Sequence, residues 1–278
     1  MFQKRKEMEA FSQMLDKLIN GEELGVSIEY MDSLSSKIQY QLLRLSEKIQ
    51  DREYKLTRER NEIREQIAEI AHQMRNPLAN IESYLELLSG AASDAERQEC
   101  LEALRNSESQ LHFLTESFIK MARLENRIIQ IKPNAGLLSS TIMQSILQVK
   151  KAADAKHIRI DLEMDEDLKV LHDANWLGEA VYNILDNSVK YSPYNSEIGV
   201  SVAQDELYTR ILVSDGGIGI AEGEEGQIFR KFYRGKETDG QPGFGLGLYL
   251  SREIVLMHGG FLKARRKNPG LEILIFLP

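Results

Sequence analysis

The sequence is poor in residues that cross-link or interrupt a fold, with one cysteine, one tryptophan and six prolines among 278 residues. With Cys100 alone, no disulfide can form within the chain, and a reducing compartment suits it. No run reaches the roughly 18 apolar residues of a membrane-spanning helix. The charged start, MFQKRKEMEAF, lacks the apolar core of a signal peptide. The sequence predicts a cytoplasmic protein, or the cytoplasmic fragment of a membrane receptor whose membrane segments are absent from this chain.

Basic residues are also in deficit, because 35 Lys and Arg face 43 Asp and Glu, a net charge of -8. Proteins that bind nucleic acid need clustered cations to neutralise phosphates. We therefore expect no nucleic-acid partner. The apolar fraction of 42% is ordinary for a globular protein and allows a packed core.

Residues 1–130 contain one proline, Pro77, and are predicted to be helical almost throughout. Apolar residues recur every seven positions, a pattern typical of a coiled coil. They are Leu42, Ile49, Leu56, Ile63 and Ile70. A coiled coil has a second position in each heptad that faces the partner helix, here called the second seam position. It is apolar at first and polar later: Ile38, Leu45, Arg52, Glu59 and Gln66. This segment is either a plain dimerisation helix or a signalling helix with two packings of similar free energy. Unchanged activity after leucine replaces the three polar seam residues would contradict the second interpretation.

The segment GAASDAE at 90–96 interrupts the first helix. Ser93 with Glu96 three residues later predicts a capping box for a second helix ending near Asn126. Two antiparallel helices with one apolar stripe each cannot bury those stripes alone, whereas two copies close into a four-helix bundle. We therefore predict a homodimer.

From about residue 128 the pattern changes to short β-like runs separated by helices, which predicts an α+β domain with helices on one sheet face. The predicted strands are 128–132, 157–164, 197–204, 207–214, 260–266 and 271–277. The predicted helices are 136–153, 174–191 and 246–258. The expected domains are 1–58, an N-terminal helix, 59–127, the helical hairpin, and 128–278, the α+β domain.

His72 stands in the run IAHQMRNPL. At about 100° per residue, Ile63, Ile67, Ile70 and Met74 share a stripe that is expected to be buried. His72 falls opposite Ile70 and faces solvent, and Asn76 shares its face. Pro77 cannot donate to the carbonyl of Gln73, which favours a kink. The arrangement suits a phosphoacceptor that another domain must reach, and it equally suits an ordinary surface histidine.

The predicted helix 174–191 carries polar side chains on one face, namely Glu179, Asn183, Asn187 and Lys190. Asparagine is a poor helix former, so two of them one turn apart suggest a function. Their oxygens could bind Mg²⁺ with Lys190 on a phosphate, or the face could simply be solvated.

Two glycine-rich segments follow. Asp215 begins DGGIGI directly after an apolar run. The Gly-, Lys- and Pro-rich stretch GKETDGQPGFG at 235–245 is predicted to be a flexible lid, and GFGLGL at 243–248 opens the last helix. Free N–H groups at a helix N-terminus bind phosphate. The segment GFGLGL is not a Walker loop, because no Gly-Lys-Ser or Gly-Lys-Thr follows it. It is not a Rossmann fingerprint either, because the strand–GxGxxG–helix context is missing.

The histidine box and these segments, in this order, resemble the sensor histidine kinases of bacterial two-component systems, from about residue 60 to 278. The resemblance implies a dimeric four-helix bundle with an N-terminal coiled coil. An α/β sandwich of the histidine-kinase, gyrase and heat-shock-ninety ATPase type would follow it. It implies ATP and Mg²⁺ as cofactors, phosphorylation of His72, a response-regulator receiver domain as partner, and the cytoplasmic portion of an inner-membrane sensor. By the same resemblance Asn187 binds Mg²⁺, and the nucleotide is bound by Asn183, Asn187, Lys190, Tyr191, Asp215, Gly217, Gly219, Arg234, Gly243, Gly245, Leu246 and Gly247.

One position departs from the family pattern, which has an acid directly after the histidine where this chain has Gln73. By the resemblance, Gln73 orients the imidazole without supplying negative charge, and Asn76 positions water for dephosphorylation of the partner. A weak kinase or pseudokinase acting mainly as phosphatase or scaffold is therefore an alternative. An ATP-driven clamp with Glu179 as its base is another, disfavoured by the histidine box.

Overall fold

The computed structural model describes residues 9, 12–17, 34–90, 93–126, 128–235 and 243–278. Two compact units make up the chain, Met1–His72 and Gln73–Pro278. Their junction falls inside a helix and therefore does not mark the end of a domain. The predicted domain limits 1–58, 59–127 and 128–278 stay predictions. In the ranges above, no helix combines the length and apolar character that a membrane crossing needs.

Helix α1 spans Leu34–Gly90 and continues through Pro77. The heptad segment is helical as predicted, although most of the first 33 residues lie outside the described ranges. Ile63 and Ile67, expected in a buried stripe, are 53% and 60% exposed in the single chain. One chain therefore leaves part of this apolar stripe uncovered.

Helix α2 spans Asp94–Glu125 and confirms the predicted capping box. The Ser93 Oγ accepts from the backbone N–H of Glu96 at 3.2 Å, and Glu96 Oε2 accepts from the Ser93 N–H at 3.3 Å. Two donors that a helix start leaves unpaired are thus satisfied reciprocally.

The predicted strand at 128–132 is wrong. The N–H groups of Ile128 and Ile129 both bond to the carbonyl of Arg123, so this segment wraps the end of α2. Lys132 donates its N–H to Asp173, and Pro133 has none to donate. The backbone N–H groups of Ile128, Ile129 and Lys132 therefore bond outside the sheet.

The C-terminal part is an α/β domain, as predicted, and its sheet contains both parallel and antiparallel pairs. Its helices are α3 (Leu138–Ala155), α4 (Ala174–Tyr191) and α5 (Gly247–Met257), with a 3-10 turn at Gln227–Phe229. Its strands are β1 (Asn134–Leu137), β2 (Arg159–Glu163), β3 (Lys169–His172), β4 (Glu197–Gln204), β5 (Thr209–Ser214), β6 (Phe261–Arg266) and β7 (Leu271–Leu277). The five-stranded sheet has the order β2-β4-β5-β7-β6, with β2 parallel to β4 and the other pairs antiparallel. The strands β1 and β3 form a separate antiparallel pair.

Helix α4 positions most of the polar groups of interest. It begins where Asp173 accepts from the N–H groups of Asn175 and Trp176. Its apolar face contributes fully buried Leu177 and Leu185 to the core shared with the sheet. Burying such side chains contributes about 1.5–3 kcal/mol each. This packing fixes the orientation of α4 and places Ser188 beside Asp215, which directly follows β5.

Candidate functional site

The three residues predicted to be catalytic lie on α1. His72 and Asn76 are exposed, as the helical wheel predicted for both. Gln73 is partly buried and takes part in a further interaction. An exposed imidazole can be reached by a reacting group, which a phosphoacceptor requires.

A cavity of about 750 Å³ lies between α4, the start of β7, the glycine-rich turn and α2. Every predicted nucleotide-site residue lines it except Gly217, whose N–H donates to Asp215 Oδ1. The lining members of that set are Asn183, Asn187, Lys190, Tyr191, Asp215, Gly219, Arg234, Gly243, Gly245, Leu246 and Gly247. Segments that are far apart in sequence thus meet at one cavity.

Asp215, directly after β5, is 6% exposed. Its Oδ1 accepts from the N–H groups of Gly217 at 3.0 Å and Leu271 at 3.2 Å. Its Oδ2 accepts from the Ser188 hydroxyl at 3.0 Å. Burial raises the pKa of this carboxyl, and the three hydrogen bonds oppose that rise. The wall of the cavity therefore carries an acceptor held in a fixed orientation.

A hydrogen bond joins the two asparagines of α4. The Asn187 Nδ2 donates to the backbone carbonyl of Asn183 at 2.9 Å, which leaves its Oδ1 available as an acceptor or metal ligand. Asn183 is 6% exposed, and its Nδ2 is buried without a hydrogen-bond partner. Buried polar atoms are rarely left unpaired. This donor therefore fits a bound ligand that carries acceptor oxygens.

Lys190 supplies a cation to the same cavity. Its Nζ donates to the Tyr191 hydroxyl at 2.9 Å, which is a neutral partner. Burial, with a further contribution from Arg234, lowers the pKa of Lys190 to about 8, while Asp186 opposes the change. An ammonium group whose hydrogen bond goes to a neutral hydroxyl suits an anionic ligand such as a polyphosphate.

The glycine-rich turn requires glycine at Gly245, where φ is +67°. A Cβ there would lie 2.5 Å from the carbonyl oxygen of Tyr233 and 2.7 Å from the carbonyl carbon of Phe232. The turn leads into α5 at Gly247, whose first N–H groups are available to an anion. Residues 236–242 of the predicted lid lie outside the described ranges.

Sequence reasoning missed a wall of the cavity that comes from α2. Asn106, Ser109, Gln110 and Phe113 line it, and Phe113 stacks on Phe244 of the glycine-rich turn with 6.2 Å between ring centroids. Their spacing of three and four residues marks one helix face. The sequence carried no signal for which face of α2 meets the cavity.

Glu179 has a different environment from the one that a hydrolytic clamp would need. Its carboxylate accepts from Lys120 of α2 at 2.7 Å, and it does not line the cavity. This position therefore counts against a role as the base that activates water.

Within the described ranges, no three His, Cys, Asp or Glu side chains converge on a possible metal position. Mg²⁺ commonly takes only one or two protein ligands and completes its shell with phosphates and water. A single amide oxygen from Asn187 fits that pattern, and a cage built of protein carboxylates does not.

Residues 172–278 match the family model of histidine kinase-, DNA gyrase B- and HSP90-like ATPases. The α/β domain that holds the cavity is therefore an ATP-binding domain of this class. Residues 62–127, which include the α1–α2 hairpin, match the model of the His Kinase A phospho-acceptor domain.

Curated relatives agree with both matches. The chain is 30% identical over 240 residues to the signal transduction histidine-protein kinase/phosphatase MprB of Mycobacterium sp. (strain KMS). The match covers 83% of this chain and 45% of that relative, so the chain spans about half its length. The chain belongs to the sensor histidine kinases of two-component systems.

Two solved structures share the fold. The histidine kinase ThkA, in complex with the response regulator protein TrrA, has a TM-score of 0.65 at 20% identity, over 81% of this chain and 66% of that one. Full-length ShkA in complex with AMPPNP has a TM-score of 0.58 at 22% identity, over 77% and 45% of the two chains.

Proposed function

We propose that the chain is an autophosphorylating protein-histidine kinase that uses ATP to phosphorylate His72. It then transfers the phosphoryl group to an aspartate of a response regulator, and it also dephosphorylates that partner. One observation carries the proposal. The same chain has an exposed histidine in a phospho-acceptor hairpin and a cavity whose polar groups match a purine nucleotide.

Each part of the nucleotide has a counterpart in the cavity. Asp215 accepts from the exocyclic amine of adenine, and the N–H groups at the start of α5 receive phosphate oxygens. Lys190 and Arg234 offset phosphate charge. Asn187 supplies the protein ligand to Mg²⁺, which when bound offsets further charge on the transferred group. AMPPNP, bound in the structure of ShkA, is an ATP analogue and supports ATP as the substrate.

The phosphoryl transfer balances as an in-line displacement. A lone pair of the distal ring nitrogen of His72 forms a bond to the γ-phosphorus, while the bond to the β–γ bridging oxygen breaks and ADP leaves. The N–H of the other ring nitrogen donates a hydrogen bond to the side-chain carbonyl of Gln73, which keeps the proton on that nitrogen and leaves the distal lone pair free to attack. Gln73 brings no negative charge to the imidazolium that develops, so positioning carries much of the catalysis.

We propose two partners, a response regulator and a second copy of the chain. The response regulator is supported by ThkA, whose structure includes TrrA, and the phosphatase half by MprB, which is named as a kinase/phosphatase. The exposed apolar residues Ile63 and Ile67 support a homodimer, because a second hairpin would cover them. We further propose three domains, 1–58, 59–127 and 128–278, which together form the cytoplasmic portion of an inner-membrane sensor.

Labelling tests the kinase half. The protein is incubated with γ-labelled ATP and Mg²⁺ as wild type and as His72→Ala. His112→Ala is the control, because His112 is also exposed on the hairpin. We expect acid-labile, base-stable label in the wild type and in the control alone. Label that persists in His72→Ala would exclude the assignment.

The phosphatase half has its own test. Asn76→Ala should slow dephosphorylation of the phosphorylated partner by at least about tenfold if Asn76 positions the attacking water. Autophosphorylation of the same variant should stay within about twofold, because the proposed attack of His72 on ATP assigns no step to Asn76. Asn80→Ala, one turn further along and also exposed, is the control. Equal phosphatase rates in both variants would contradict the role.

A weak kinase that acts mainly as a phosphatase or scaffold is the second candidate, and Gln73 is the observation that favours it. The labelling rate separates the two. A wild type that binds ATP but incorporates label only after Gln73→Glu would support the second candidate.

A further inference from the structure

The Asp215 carboxylate at the cavity wall can be accounted for atom by atom. A carboxylate offers about four acceptor positions, two on each oxygen. Oδ1 is saturated by the N–H groups of Gly217 and Leu271. Oδ2 holds one donor, the hydroxyl of Ser188, and so keeps one position open. Because Asp215 lines the cavity, that position is available to a ligand.

Of the three donors to the Asp215 carboxylate, the Ser188 hydroxyl is the one that a substitution can remove. The two bonds to Oδ1 come from backbone N–H groups, which no side-chain substitution removes. Ser188 is 3% exposed, and across the described ranges it is the one side chain with a hydrogen bond to Asp215. Its apolar neighbours on α4, Ile184 and Leu185, pack into the core, so the hydroxyl stands at the border between core and cavity.

We propose that Ser188 is a positioning residue for selection of the nucleobase. Its hydroxyl holds Asp215 as an acceptor with one open position on Oδ2, so the cavity takes a 6-aminopurine nucleotide and rejects a 6-oxopurine. The inference rests on the proposed function only in requiring a purine nucleotide in this cavity.

The chemistry of the two bases explains why the hydroxyl matters. A 6-amino group donates and pairs with an ionised carboxylate, whereas a 6-oxo group accepts and pairs only with a protonated carboxyl. Burial raises the pKa of Asp215 and so favours the wrong form, while donors to the carboxylate favour the ionised one. The Ser188 hydroxyl thus works against the protonation that would admit a 6-oxopurine.

Other charged groups near the carboxyl set the background. Lys267 lowers the pKa of Asp215 through its charge and donates to Ser214 at 2.9 Å. On α4, Asp186, Lys190 and Tyr191 line the same cavity. A substitution of Ser188 leaves all four groups in place.

The experiment measures binding of ADP and of inosine diphosphate to the full chain by calorimetry, without metal, at pH 8 and pH 6. The two ligands differ at position 6, which carries an amino group in ADP and an oxo group in inosine diphosphate, and in the proton that the 6-oxo form carries on N1. We expect the wild type to prefer ADP by at least about 100-fold at pH 8. In Ser188→Ala, ADP should bind about tenfold more weakly. The ratio of ADP affinity to inosine diphosphate affinity in Ser188→Ala should fall by about tenfold between pH 8 and pH 6. The same ratio should fall by less in the wild type.

The control is Ser192→Ala, on a hydroxyl that is also 3% exposed but has no hydrogen-bond partner. It should keep the wild-type preference at both pH values. If Ser188→Ala does not fold, Ser188→Cys replaces it, because a thiol is a weak donor of similar size.

The outcomes separate the two proposals. A Ser188 variant that keeps the wild-type preference at both pH values would overturn the role of Ser188 and leave the kinase assignment intact. A wild type that binds neither diphosphate would overturn the nucleotide site itself, and this inference with it.

Discussion

Lys120 of α2 donates a hydrogen bond to Glu179 of α4, with 2.7 Å between Nζ and Oε1. The two side chains are 34% and 26% exposed, so the pair is partly withdrawn from water. Further along α2, Glu125 pairs with Lys231 and accepts from the Tyr249 hydroxyl. Ionic contacts at two places therefore join the hairpin to the ATP-binding domain.

A double-mutant cycle measures the first of these contacts. Lys120→Met, Glu179→Gln and the double variant should give a coupling of about 1 kcal/mol in the free energy of unfolding, measured by urea titration. The exposed pair Lys150–Asp154 within α3 is the control, and its coupling should be about 0.3–0.5 kcal/mol. A coupling at Lys120–Glu179 no larger than the control would mean that the pair contributes no more than an exposed ion pair within one helix.

Gln73 is the residue that we expect to limit the rate of the proposed kinase step. A carboxylate in its place would stabilise the imidazolium that forms as His72 attacks. We expect Gln73→Glu to raise the initial rate of autophosphorylation by at least about tenfold. Gln98→Glu makes the same charge change at an exposed position of α2 and should leave the rate unchanged. A rate for Gln73→Glu at or below wild type would refute the expectation.

Gly245 limits the shape of the glycine-rich turn. Alanine at φ +67° is strained by about 1–2 kcal/mol, and its Cβ would collide with the backbone of Phe232 and Tyr233. We expect Gly245→Ala to weaken ADP binding by at least about tenfold in calorimetry. Gly216→Ala is the control, because a Cβ there meets nothing within 4 Å. A normal ADP affinity in Gly245→Ala would show that the turn adapts.

His258 makes stability depend on pH. Its Nδ1 donates to the Ile254 carbonyl at 2.8 Å, and its Nε2 accepts the Asp173 N–H at 3.1 Å, so the neutral ring is satisfied on both sides. Burial lowers the pKa of His258, and the charge of His172 lowers it further, against the opposing effects of Ile254 and Asp173. The unfolded chain therefore takes up the proton at a higher pH than the native chain.

The sign follows from this order. The contribution of His258 to stability is complete above the unfolded histidine pKa of about 6.5 and is lost as the pH falls toward the lower native pKa. Between pH 7.5 and 5.5, the wild type should lose more thermal stability than His258→Gln, whose amide keeps an acceptor without titrating. His112→Gln, at an exposed position, should follow the wild type. Parallel curves for wild type and His258→Gln would contradict the prediction.

Local signals account for what the sequence predicted well. Helix α4 begins and ends where predicted, because an amphipathic repeat lies between the Asp173 cap and the residues just before Pro193. Strand β7 also matches its prediction at both ends. The histidine box and the asparagine and glycine segments led to the cavity for the same reason, since each motif is contained in a few adjacent residues.

Tertiary relationships account for what was missed. Strands β1 and β3 have four residues each, and they pair with one another across an intervening helix and strand. Segment 128–132 has strand-like composition, but its donors are used at the end of α2. Ser188 falls on the apolar face of the helical wheel, which gave no sign that Asp215 stands beside it.

With the proposed nucleotide in the cavity, the wall that α2 contributes would link nucleotide binding thermodynamically to the packing of the hairpin. A nucleotide that touches both Gln110 and the residues of α4 binds more tightly when α2 is in place. Linkage is reciprocal, so the bound nucleotide stabilises that packing by the same factor. Changes of the hairpin that displace α2 therefore lower nucleotide affinity without altering any residue of the ATP-binding domain.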